Sequence, residues 1–114
     1  MELSATELRI GNLVGIASSL NFIIGKVTLI SNNRILLENK ISNKNHKFIP
    51  VELTEDWLLR FGFDKAVNGW WSSDEIFSYR DGYFGFGVDR YTKIQYVHEL
   101  QNIYFALTGE ELTI

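Results

Sequence analysis

The residues that could do chemistry are few and scattered. His98, Gln101 and Asn102 stand three and four places apart, so a helix would set them in one polar stripe. Such a stripe can orient a ligand, or it can hydrogen-bond a neighbouring loop. The only other histidine is His46, and no second metal ligand lies at helical spacing from His98. There is no cysteine, so thiolate sites and disulfide staples are excluded. Neither a metal nor a cofactor is expected. Asp74-Glu75 and Glu110-Glu111 are adjacent acids at a turn and beyond a helix end, where solvation explains them. No Ser or Thr sits in a nucleophile elbow. The chain does not read as an enzyme; a small enzyme would need a pocket around His98.

Two surfaces remain as binding candidates. Arg34, Lys40, Lys44 and Lys47 fall in one polar stretch with His46, Asn39, Asn43 and Asn45, and only Glu38 opposes them. Lys and amide side chains on a loop suit phosphate contacts, although so small a patch binds weakly at physiological salt. The second candidate is aromatic. Asp81-Gly82 is a two-residue hairpin turn, and it fixes the register of the flanking strands. Arg80 then opposes Tyr83, Tyr79 opposes Phe84, Ser78 opposes Gly85, Phe77 opposes Phe86 and Ile76 opposes Gly87. One face carries four rings, Phe77, Tyr79, Phe84 and Phe86. The other carries bare backbone at Gly85 and Gly87, where a partner or a second copy could approach. The rings would serve as core, as a stacking platform or as an interface. GYFGFG is no phosphate loop, because its glycines lie within a hairpin and no helix follows at once.

The elements that must position these groups read as α+β. Ser4-Ala5-Thr6-Glu7 has capping-box spacing for one helical turn. Strands follow over 13–17, 22–30, 34–38 and 46–51, with Gly25 as a bulge or bend. Residues 39–45 read as a polar, mobile loop. Thr54 is an N-cap, Glu55 and Asp56 favour the first turn, and Gly62 is a stop, giving a helix over 55–61. A four-strand meander spans 63–88, with Asn68-Gly69 as its first turn. A last helix covers 96–108 and ends at Gly109; residues 92–95 fit either strand or helix. The expected organisation is a small barrel-like antiparallel sheet over 1–53 and a helix-flanked meander over 54–114, joined in one compact unit.

Composition agrees with a packed protein. The chain has 114 residues, 46% of them apolar, 14% aromatic and 22% charged, enough to bury a core at this size. Residues 1–53 hold six Lys/Arg against four Glu, a net +2; residues 54–114 hold five against ten acids, a net −5. Neither value requires a nucleic-acid partner. The start of the chain lacks a signal peptide's basic and apolar regions, and no apolar stretch is long enough to span a bilayer. The reading is cytoplasmic.

Two resemblances add to this. LRIGNLV (8–14) and the stretch from Gly25 to Ile30 resemble the opening strands of small Src-homology-type barrels, which bind peptides or nucleic acids or only hold domains together. LRIGNLV, VELTEDWLLRFGF (51–63) and YVHELQNIYFALTGEEL (96–112) resemble a family of small uncharacterised bacterial proteins from prophage or mobile-element clusters. That family implies no activity and no catalytic residue. The expected role is a non-enzymatic accessory or protein-interaction module, self-association included, with weak nucleic-acid binding through 34–47 and a small enzyme with a pocket near His98 as the alternatives.

Overall fold

The computed structural model describes residues 2–16, 23–44, 46–72, 74–86 and 89–114, except the side chains of 86 and 89–91. The fold is α+β: a curled four-strand antiparallel half-barrel sheet, a second antiparallel sheet and two helices. The chain forms two compact units, residues 1–51 with 96–111 and residues 52–95 with 112–114.

The first unit opens with a single 3-10 turn, Ala5–Glu7. The Glu7 carboxylate accepts the Ser4 N–H at 2.8 Å, the reciprocal arm of a capping box. Strands β1 (Leu13–Ile16), β2 (Ile23–Ser31), β3 (Arg34–Leu37) and β4 (Phe48–Ile49) lie in the order β3-β2-β1-β4. The nine-residue β2 pairs with β1 through its first half and with β3 through its second, with a bulge between Val27 and Leu29. A bulge bends and twists its strand, which lets one strand serve both halves of a curled sheet. Leu8, Val14, Ile16, Val27, Ile35, Leu37 and Phe48 form the core.

Gly25 is not the bulge. It pairs regularly with Val14, and a Cβ there would lie 2.6 Å from Leu37 Cδ1. The glycine makes room for a buried leucine. The stretch after β3 is also more ordered than its polarity suggests. Leu37 N–H donates to the Ile41 carbonyl at 2.9 Å, and Lys40 turns the chain at φ +66°. Asn43 then donates its N–H to the Ile35 carbonyl, and its side-chain oxygen accepts the Ile35 N–H at 2.9 Å. Residues 41–43 therefore fold back on the edge of β3.

The second unit holds helix α1 (Glu55–Arg60) and five strands: β5 (Asp64–Ala66), β6 (Gly69–Trp71), β7 (Phe77–Arg80), β8 (Tyr83–Phe86) and β9 (Asp89–Lys93). They form a meander in sequence order. Thr54 stands at the N-cap of α1 and Gly62 ends it at φ +87°. The first turn of the meander is Val67-Asn68 rather than Asn68-Gly69, since Ala66 pairs with Gly69. The second hairpin has the register expected from Asp81-Gly82: Arg80 with Tyr83, Tyr79 with Phe84, Ser78 with Gly85 and Phe77 with Phe86. The expected pair of Ile76 with Gly87 lies outside the described residues. β9 is a fifth strand where four were expected. It resolves Thr92 and Lys93 as strand, while Ile94 and Gln95 belong to neither element.

The final helix, α2 (Val97–Thr108), closes at Gly109, whose N–H donates to the Phe105 carbonyl at 2.8 Å. It was expected to flank the meander, but it belongs to the first unit. The physical reason is the polar stripe described next, whose partners are residues 7–13.

Candidate functional site

The stripe on α2 is structural at two of its three positions. The Gln101 amide is buried and sits on the backbone leading into β1. Its Oε1 accepts the Leu13 N–H at 2.9 Å, and its Nε2 donates to the Gly11 carbonyl at 3.1 Å. Asn102 Oδ1 accepts from Asn12 Nδ2 at 2.8 Å, and Asn102 Nδ2 donates to the Glu7 carbonyl at 3.3 Å. Asn12 is fully buried, and its own Oδ1 accepts the Arg9 N–H at 2.6 Å. Arg9 adds an ion pair with Glu111, and its guanidinium lies 4.2 Å from the centre of the Phe105 ring. The three amides satisfy one another and the nearby backbone, so Gln101 and Asn102 are not free to orient a ligand. The sequence reading missed Arg9, Asn12 and Glu111. Gly11-Asn12 looks like an ordinary turn, and nothing local reveals a partner about ninety residues away.

His98 is buried and lies against Tyr96, ring centres 6.0 Å apart. Its Nδ1 has no hydrogen-bond partner among the described residues. Burial lowers its pKa, opposed by the charges of Glu99 and Glu7. Two concavities are found in the second unit, and His98 lines neither. Among the described residues no group of three His, Asp or Glu side chains could hold a metal ion. No helix among them is long and apolar enough to cross a membrane.

The basic stretch is exposed at Arg34, Lys40, Lys44 and Lys47. The first unit as a whole has six Lys/Arg, these four included, and six Glu, so it carries no net positive charge. Two rings of the aromatic face are core. Phe77 and Phe84 are buried and stacked, ring centres 5.4 Å apart. Tyr79 is half-buried, and its hydroxyl donates to the Ile94 carbonyl at 3.0 Å. Trp70, paired with Tyr79, is buried on the same face. The glycine face is not bare, because Gly85 and its partner Ser78 are both buried. The Phe86 side chain and Gly87 lie outside the described residues.

What stays open is an edge. β5 ends the five-stranded sheet, and Asp64, Lys65 and Ala66 are all exposed. Ala66 and Gly69 flank a two-residue turn and so form a hydrogen-bonded pair; Lys65, one residue on, is then in a non-hydrogen-bonded pair with Trp70. The N–H and C=O of Lys65 therefore point out from the edge. A concavity lies on each side of the strand. One, about 500 Å³, is lined by Leu58 of α1 with Lys65, Val67, Trp70 and Tyr79. The other, about 360 Å³, is lined by Asp64, Ala66, Trp71, Ser72 and Glu75 and again by Lys65, whose ammonium pairs with Glu55 at 3.3 Å.

The second concavity has a fixed rim. Asp74 accepts from the Ser72 hydroxyl and from the Ile76 N–H at 3.1 Å. The Ser72 hydroxyl, and then the Ile76 N–H, hold the Asp74 pKa below its usual value. Glu75 follows at φ +60°, a left-handed conformation uncommon for a residue with a side chain. Neither Asp64 nor Glu75 has an ion-pair partner among the described residues. No family model, no curated protein and no solved structure matches the chain.

Proposed function

We propose that this chain is a non-enzymatic interaction module that binds through the β5 edge of its second sheet. The observation that carries the reading is the outward backbone of Lys65 between two concavities. An exposed edge strand is a template for further pairing unless it is protected, and pockets on alternate sides are what strand recognition uses for specificity. The groups that might have supported catalysis support this indirectly. Gln101 and Asn102 are consumed by Gly11, Asn12 and Leu13, and His98 lines neither concavity.

The test is selection of binders from a random dodecapeptide library, with the whole protein as bait. Lys65→Pro is the counter-bait. Proline there removes the outward N–H without taking a bond from the β5–β6 ladder. Binders that hold the wild type and release Lys65→Pro are expected. Binders indifferent to this change would place the surface elsewhere.

A further inference from the structure

Taking the β5 edge as the binding surface, we infer that its ligand is an extended segment of another protein that adds as a sixth strand. It carries a large apolar residue flanked by Lys or Arg. The backbone sets the alternation. In antiparallel addition, the residue bonded to both the outward N–H and the C=O of Lys65 lies directly opposite it, so its side chain points to the face of Lys65 and Trp70. That face holds the larger concavity, lined by the charged Glu55, Lys65, Arg80 and Asp81 and by an apolar group of Leu58, Trp70 and Tyr79; the apolar group suits a large apolar side chain. The residues before and after it point to the other face, toward Asp64, Trp71 and Glu75. Two carboxylates and an indole there favour a cation by charge and by cation–π attraction. The second unit as a whole holds eight acids against five Lys/Arg, so the wider field favours the same sign.

A second copy of the chain fits less well. Symmetric pairing of two β5 strands about Lys65 would oppose like charges, which destabilises a cross-strand pair. Centring the pairing on Ala66 instead would draw Val67, a turn residue, into the ladder.

The probe is a fluorescein-labelled heptapeptide, Ser-Thr-Lys-Leu-Lys-Thr-Ser, titrated by anisotropy. Pairing antiparallel to β5 sets its central leucine opposite Lys65, where the two residues exchange both backbone bonds. Saturable binding is expected, about tenfold weaker when the leucine nitrogen is methylated, since that removes the hydrogen bond to Lys65. Methylating both lysine nitrogens, which face away from β5, should leave affinity within about twofold on the same grounds. Asp64→Asn with Glu75→Gln should weaken binding about fivefold and leave a peptide with Gln for Lys unaffected. Equal loss from the two methylations would overturn strand addition. Equal binding of the Lys and Gln peptides to the wild type would overturn the preference for a cation. If the heptapeptide fails while the library still yields binders sensitive to Lys65→Pro, the inferred ligand is wrong and the edge reading stands. If neither binds, both fall.

Discussion

At the scale of single residues, the buried imidazole of His98 ties stability to pH. Its folded pKa is depressed, chiefly by burial, while in the unfolded chain it returns to the ordinary value of 6.5. The unfolded state then binds more protons than the folded state below that value, so acid favours unfolding. This contribution is fully present above pH 6.5 and is lost as pH falls through the folded pKa. Denaturant midpoints should drop between pH 7.5 and 5.5 in the wild type and stay nearly level in His98→Gln. Parallel slopes in the two proteins would show that other groups carry the effect. Gln101 offers a second measurement. Gln101→Leu keeps the bulk but leaves the Leu13 N–H and the Gly11 carbonyl without their partners, for a loss of about 2–4 kcal/mol. A change under about 0.5 kcal/mol, the scale of a surface substitution, would mean that water replaces the amide. The sequence shows that His98, Gln101 and Asn102 share a face, because helical spacing is local. It cannot show that Asn12 waits for them, because that pairing depends on tertiary packing.

Elements are legible where turn chemistry is strong. Asp81-Gly82 specifies a hairpin register that the structure reproduces at four pairs, and Gly62 and Gly109 both close helices. Val67-Asn68-Gly69 shows the limit. Asn-Gly is the stronger turn signal, yet the turn sits one residue earlier, with Gly69 already paired in the strand. Strand glycines are ambiguous for a related reason: close approach and bulging both select them. Gly25 belongs to the first kind, and a double-mutant cycle separates the two. Gly25→Ala should destabilise by about 1–3 kcal/mol, as overpacking does, because its methyl meets the Leu37 side chain. In a Leu37→Val background, where Cδ1 is gone, the penalty should shrink by at least half. Urea denaturation of the four proteins gives the coupling directly. Strict additivity would mean that Gly25 is selected for its backbone rather than for the space beside it.

At the scale of the whole molecule, the chain passes between its two units three times, after Val51, after Gln95 and after Glu111. Residues 52–95 leave the first unit after Val51 and return before Tyr96. The sequence cannot reveal this, because composition changes near residue 54 and does not change back near 96. The return is marked by hydrogen bonds in each unit: Val97 N–H donates to the Val51 carbonyl at 2.8 Å, and Leu53 N–H donates to the Gln95 carbonyl at 3.0 Å. The ends of segment 52–95 are therefore adjacent, the arrangement in which an inserted segment can be removed without straining its host. Replacing residues 54–94 by a short Gly-Ser linker should leave a protein that still unfolds cooperatively in urea. Its smaller buried surface should lower the denaturant slope. The Leu13 amide, bonded to Gln101, should keep slow hydrogen exchange in the shortened protein. Gln101→Leu in that background should abolish the protection. A shortened chain with no cooperative transition would show that the half-barrel and α2 depend on the five-stranded sheet for their stability, and that the two units fold as one.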